Sequence, residues 1–274
     1  MSDIIYIADY MTEQILGGGE LNDSELCKMI PGIEKKRCIN VEEKDLINKK
    51  IIVSNFVQLT KKNKDYIMKN CQYVIYEHDH KYLKNRNPGI YKNFIAPKEE
   101  VINKEFYENA KKVFCQSSFH ESVVKKNLDI NNIVNLSGNL WSEEILEYIK
   151  SLSDNIKEDR YSILDSLEWH KNTTNTKFYC DKKKFKYELI KSNDYKNFLF
   201  KLSKNKHFIF IPQTPETLSR VIVEAKMMNV KVVTNKKVGA SYEEWYNLKG
   251  EKLINKMLEK RKEILKKVMG VFDE

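Results

Sequence analysis

The sequence predicts an α/β protein of two Rossmann-like domains, each built on a parallel sheet, facing a central cleft. Three observations carry this reading. Short apolar runs of strand length alternate with longer segments of helical period, the pattern of βαβ units. The alternation lapses once, near residue 145, and then restarts. Polar or glycine-rich loops follow several of the runs, where parallel sheets bind ligands.

The elements follow in order. DIIYIAD (3–9) reads as a buried strand, and LNDSELCKMI as a helix with Asn22, Asp23 or Ser24 as its cap. KRCIN, IIVSNFV, CQYVIYE, KVFCQ and NNIVNL read as further strands. Between them EEKDLIN, KKNKDYIMKN, EEVINKEFYENAK and FHESVVKKNL read as helices. SEEILEYIKSLSDNIK (142–157) is amphipathic and then loses its pattern, which sets the domains at 1–145 and 146–274. The second set runs through YSILDSL (161–167), KYELI, DYKNFLFKLSK, HFIFIP, a helix after Pro215 and the strand VKVVT. The C-terminal end is helical.

Composition narrows the class. In 274 residues, 41% hydrophobic and 11% aromatic content supports a packed core and argues against disorder. No apolar run is long enough to span a bilayer, and MSDIIYIADYM has no basic region of a signal peptide. Five scattered cysteines without a CxxC read as reduced thiols, so a cytoplasmic protein without structural zinc is expected. The formal charge of +9 suits a polyanionic partner, although Lys, Asn and Ile also abound simply because an AT-rich genome favours them.

Four stretches could carry chemistry. LGGGELND (16–23) places glycines between a strand and a helix N-terminus, where backbone can approach an anion; it is not the dinucleotide GxGxxG. YEHDHKYLK (76–84) ends a strand with Glu77, His78, Asp79 and His80. Neighbours along an extended chain face opposite ways, so one residue, His78, is expected at the site rather than a four-ligand metal centre. DSLEWHKN (165–172) offers Lys171 as a point charge for a phosphate; a lone loop lysine is otherwise solvated. In PETLSRVIVEAKMMNVKVVT, Thr214 or Thr217 is the expected cap, and Leu218, Val221, Ile222, Ala225 and Met228 recur at helical spacing. If the helix covers both Glu216 and Glu224, they lie about 12 Å apart along its axis. That separation suits the two sugars of a nucleotide sugar, with the diphosphate at the helix N-terminus.

The spacing of Glu216 and Glu224 resembles the Glu-x7-Glu motif of retaining glycosyltransferases with the GT-B fold. EAKMMNVKVVTNKKVGA resembles that family's EAMAxGxPVVxxxxGG, and GGGE (17–20) its N-terminal Gly-Gly-x-Glu turn. Residues 111–139 resemble its stretch ending in I-x-V-I-P-N-G. The chain departs from the pattern at Thr217, where Gly is usual, at Ser166, near the place of an Arg, and at Asn229, also a usual Gly. Its C-terminal half is short.

The resemblance implies that the second domain holds the donor, a UDP-sugar, as co-substrate without a metal ion. Lys171 would bind the diphosphate, Glu216 with Thr217 and Leu218 the donor sugar, and Glu224 the ribose. Gly18 and Gly19 would approach the donor, and His78 would act with Glu216 at the reacting centre. Glu20, Lys81, Lys84 and Arg86 are the expected acceptor contacts. The acceptor is either a hydroxymethylated pyrimidine in DNA, as in phage, or a cell-surface glycan or glycolipid. KKNKDYIMKN and HKYLKNRNPGIYKNF interleave lysines with aromatics and suit DNA. Two other classes stand beside this one: a non-catalytic nucleic-acid-binding module, and a metal-dependent hydrolase using EHDH.

Overall fold

The computed structural model describes residues 3–273. The chain divides into two compact units. The first takes the described residues through Leu140 and again from Lys260 onward; the second is Trp141–Glu259. The expected division at 145/146 therefore differs from the structure in two ways. Trp141 packs in the second unit's core, and residues from Lys260 return to the first. The return has a physical cause: Ile264, Val268, Val271 and Phe272 bury their side chains with Leu26, Tyr76 and Phe114.

In the first unit the order is β1 (Ile4–Ala8), α1 (Gly18–Met29), β2 (Glu34–Arg37), α2 (Glu43–Leu46) and β3 (Lys50–Val53). It continues with α3 (Lys61–Asn70), β4 (Gln72–Tyr76), α4 (Lys104–Glu108), β5 (Lys112–Cys115), α5 (Ser118–Leu128) and β6 (Ile133–Asn135). The six strands form a parallel sheet in the order β2-β1-β3-β4-β5-β6. All five residues of β1 are buried, because helices cover both faces of a parallel sheet. Ile5, Ile7, Ile51, Val53 and Ile75 feed one core, and their alternating neighbours Tyr6, Ile52, Val74 and Tyr76 feed the other.

The second unit holds α6 (Glu143–Ser153), β7 (Glu158–Leu164), α7 (Thr173–Lys182), β8 (Tyr187–Ile190), α8 (Tyr195–Ser203), β9 (Asn205–Phe210), α9 (Arg220–Met227) and β10 (Lys231–Thr234). Its parallel sheet runs β10-β9-β7-β8. The last helix, α10 (Gly250–Gly270), begins in this unit and ends in the first. Helix starts follow sequence where a side chain can cap: Thr60, Ser117, Ser142 and Asp194 each accept a backbone N–H at the start of α3, α5, α6 and α8.

Two expected caps are corrected. α1 begins at Gly18 with Gly17 as its cap, so Asn22, Asp23 and Ser24 lie inside the helix. α9 begins at Arg220, not near Pro215, because Ser219 takes φ +74° and turns the chain there. Glu216 therefore precedes the helix, and the two glutamates do not share an eight-residue helical span.

Candidate functional site

In the four-stranded sheet, β7 is flanked by β8 on one side and β9 on the other. Successive connections diverge there, which opens a crevice at the carboxyl ends of β7 and β9. The loops leaving those two strands carry Lys171 and Glu216. After β7, Trp169–Lys171 makes a 3-10 turn, and Asn172, at φ +62°, starts α7. Asn172 Nδ2 donates to the Ile211 carbonyl at 2.8 Å, and Gln213 Nε2 donates to Asn172 Oδ1 at 2.7 Å. These bonds tie one loop to the other.

After β9, Glu216 forms a one-residue parallel bridge with Val238. Its N–H donates to the Lys237 carbonyl at 2.8 Å, and its carbonyl accepts from Gly239 at 2.9 Å. With its backbone fixed on both sides, the Glu216 carboxylate meets Lys171, whose Nζ donates to Oε1 at 2.8 Å. The lysine side chain is 28% exposed and the glutamate 15%, so both remain within reach of a ligand. Lys171 also lies 5.7 Å from the centre of the Phe210 ring. Thr217 is half-buried, and Leu218 is fully buried, so only its backbone is available to a ligand. Ser219 Oγ is buried without a hydrogen-bond partner among the described residues. It stands at the N-terminus of α9, where the first N–H groups of a helix lack internal acceptors.

Glu224 occupies a different setting. It is 2% exposed; the Trp141 indole at 2.8 Å and the Tyr195 hydroxyl at 2.5 Å donate to Oε1, and the Arg220 guanidinium stands 3.5 Å from the same oxygen as its ion-pair partner. Arg220 lies 4.4 Å over the Trp141 ring and donates to the Tyr195 hydroxyl at 3.2 Å. Burial first, and then the Glu224 charge, push the Tyr195 hydroxyl far above the usual tyrosine range. Sequence reasoning missed Trp141, Tyr195 and Arg220. Only Arg220 carried a local signal, four residues before Glu224 on the same helix. The cage has an energetic consequence. Glu224→Ala leaves Arg220 as a buried charge without its carboxylate, and is expected to lower stability by about 3 kcal/mol. Urea denaturation checks this; an unchanged midpoint would show that the cage does not stabilise the unit.

In the first unit the glycine turn after β1 leads into α1. A Cβ on Gly17 would lie 2.3 Å from Glu20 Oε2, so glycine lets that carboxylate fold back there. Burial raises the Glu20 carboxyl above its ordinary value. Gly18 is exposed, and a Cβ on Gly19 would sit 3.8 Å from His78 Cγ. His78 is 8% exposed, and both ring nitrogens are engaged: Nε2 with Asp23 Oδ1, Nδ1 with Gln116 Nε2. Asp23 Oδ2 in turn accepts the Ser54 hydroxyl at 2.7 Å. The sequence offered Asp23 only as a helix cap; its place one turn after Gly19 was the available signal.

The EHDH residues diverge. Glu77 is fully buried and accepts Lys81 Nζ at 3.0 Å and the Tyr107 hydroxyl at 2.5 Å. Asp79 accepts Arg86 at 2.9 Å, and His80 bonds the Tyr82 hydroxyl at 3.0 Å. Among the described residues, no three His, Cys, Asp or Glu side chains gather as metal ligands. Lys81, expected as an acceptor contact, is corrected: it is 2% exposed and committed to Glu77. Lys84 and Arg86 are exposed, each beside a carboxylate, Glu100 at 4.0 Å and Asp79 at 2.9 Å.

No family model matches the chain, and no curated protein matches it. Solved structures do. HepE from Anabaena, in complex with UDP and glucose, is 13% identical over 98% of this chain and 96% of its own, with a TM-score of 0.53. A glycosyltransferase from Rickettsia africae is 14% identical over 97% of this chain and 98% of its own, also at 0.53. An alpha-glucosyltransferase in complex with UDP and DNA containing an HMU base is 11% identical over 95% and 89%, at 0.47. The likeness to the first two shows the fold: two Rossmann-like parallel sheets of the GT-B type. Among the described residues, no helix is long and apolar enough to cross a membrane.

Proposed function

We propose that this protein is a nucleotide-sugar glycosyltransferase that moves a sugar with retention from a UDP-sugar to a hydroxyl acceptor. The observation that carries the reading is the Lys171–Glu216 pair at the divergence of the second sheet, beside the start of α9. The two residues are far apart in sequence, and both loops are held by backbone bonds. Lys171 supplies positive charge for the departing diphosphate, and Ser219 with the first N–H groups of α9 adds donors to it. As oxocarbenium character grows on the sugar, Glu216 holds the sugar hydroxyls. Lys171 and the helix dipole fill the role that a metal ion would otherwise have. The two hydrogen bonds and the ion pair around Glu224 all meet Oε1, and Oε2 would take the ribose. In the first unit, His78 acts on the transferred sugar once Gln116 yields its ring nitrogen. Gly18, Gly19 and Glu20 line the approach.

The acceptor we favour is a hydroxymethylated pyrimidine in DNA; a cell-surface glycan or glycolipid is the other reading. Support for DNA rests on the exposed basic loop that carries Lys84, Arg86 and Lys92 with Tyr91, since Lys81 is internal. The test has two steps. The protein is incubated with a panel of nucleotide sugars, and hydrolysis and thermal stabilisation are read. A true donor at a hundredfold over its Kd should add about 2.7 kcal/mol. Labelled sugar is then offered with DNA containing or lacking hydroxymethylpyrimidines, and the anomer of the product is determined. Transfer should weaken with salt, and Lys84→Glu with Arg86→Glu should cut transfer to DNA while sparing donor hydrolysis. No response to any nucleotide sugar would overturn the enzyme reading. Transfer to a lipid-linked sugar but not to DNA would overturn the DNA acceptor alone.

A further inference from the structure

The second sheet has two ends, and only the carboxyl end carries the donor residues. α7 leaves that end after β7 and returns to the other, because it must deliver the chain to the amino end of parallel β8. Its last turn and the following loop place Lys182, Lys183, Lys184 and Lys186 at the amino end. All four are exposed, and none forms an ion pair among the described residues. The loop is rigidly built. Lys183, Lys184 and Phe185 donate backbone N–H groups back to Tyr179, Asp181 and Cys180. The Phe185 ring stacks on Tyr161 at 4.5 Å with an 8° tilt, which anchors the turn between its lysines.

Two large apolar side chains are exposed toward this end of the sheet. Phe178, one helical turn before Lys182, is 68% exposed. Ile156, in the segment entering β7 at the same end of the sheet, is 98% exposed. Isolated exposed hydrophobics are ordinary. Here an exposed phenyl ring lies one helical turn from the first of four lysines that outnumber the adjacent Asp181, and an exposed aliphatic side chain lies at the same end of the sheet. Aliphatic Ile156 has no π-face to offer a nucleic-acid base, whereas it suits acyl chains. We infer that the amino end of the second sheet docks on an anionic lipid surface, the lysines meeting headgroups while Ile156 and Phe178 enter the interface. This surface stands apart from the donor site and does not depend on the sugar-transfer reading.

The test is co-sedimentation of the full chain with phosphatidylcholine vesicles, with and without phosphatidylglycerol, at low and high salt. UDP affinity is measured in parallel. The chain should bind vesicles that contain phosphatidylglycerol, and salt should release it. Each lysine near an anionic leaflet is worth roughly fivefold in partitioning. Lys182→Glu, Lys184→Glu and Lys186→Glu together should therefore lower binding at least a hundredfold. Phe178→Ser should weaken it without altering salt dependence, and UDP affinity should stay unchanged in both variants. Equal sedimentation with neutral and anionic vesicles, or full binding by the triple variant, would overturn the inference. So would binding to duplex DNA that the triple change abolishes while vesicles are ignored; that outcome would assign the face to nucleic acid.

Discussion

Glu216→Ala should lower turnover by about a hundredfold while leaving UDP affinity intact or slightly improved. The two halves of this expectation come from one contact. Lys171 Nζ donates to Glu216 Oε1 at 2.8 Å. If Lys171 binds the diphosphate as proposed, removing the carboxylate releases the lysine to it, so nucleotide binding has no reason to fall. On the proposed reading, what disappears is a set of hydrogen bonds to the donor sugar that strengthen as the glycosidic bond breaks. Such bonds contribute several kcal/mol at the transition state, and about 3 kcal/mol corresponds to a hundredfold or slightly more. Lys171→Ala should behave in the opposite way, losing UDP affinity first. Isothermal titration with UDP beside donor hydrolysis rates separates the two. Parallel losses of affinity and turnover in Glu216→Ala would mean that the carboxylate serves only to orient Lys171.

Lys81→Met should destabilise the first unit by about 3–5 kcal/mol, a large fraction of the stability of an ordinary domain. The methionine removes a cation and leaves Glu77 buried and charged with only the Tyr107 hydroxyl and backbone donors. Replacing both partners, Lys81→Met with Glu77→Gln, should recover much of the loss. Urea midpoints check both; a lysine reserved for an external phosphate would leave stability untouched.

Acid should expose the same network. Burial pushes the Glu77 carboxyl up, but the Lys81 charge, with the Tyr107 hydroxyl and the backbone donors, outweighs it and holds the group at about 2, below its ordinary 4.5. Its contribution is present above pH 4.5 and disappears as pH falls toward 2. Burial also drives His120 well below its ordinary 6.5, so the folded protein keeps it neutral. The unfolded chain takes up that proton below pH 6.5, and stability should therefore begin to fall there and fall more steeply below 4.5. A flat urea midpoint between pH 7 and 3.5 would contradict this account.

The sheets were legible because most strands carry short apolar runs; IIYIA in β1 is buried along its whole length, whereas KVVT in β10, at the edge of its sheet, is only partly buried. The meeting of Lys171 and Glu216 was open to sequence reasoning because each follows such a run, so topology brings their loops together. The start of α9 was not. Pro215 and two threonines gave a plausible cap, but the chain turns at Ser219 through a left-handed conformation that residue type scarcely signals. Lys81 was misplaced because composition shows charge and not burial; HKYLKNR looks solvated throughout, yet Lys81 turns inward to Glu77. The cage around Glu224 was hidden for a related reason. Trp141 and Tyr195 reach it from separate elements, and no spacing in the sequence announces that convergence.

The return of the chain to the first unit has a consequence for the order of events during synthesis. Arg261 pairs with Glu25, and Ile264, Val268, Val271 and Phe272 fill the core beside Leu26 and Phe114. A ribosome makes those residues after the whole of the second unit. The first unit therefore waits through the synthesis of the second with one apolar face uncovered, while the second has all of its own residues once Glu259 has emerged. The usual N-terminal-first sequence of domain folding is reversed for completion, if not for initiation. A nascent chain stalled before Lys260 would hold a finished second unit and an unfinished first one.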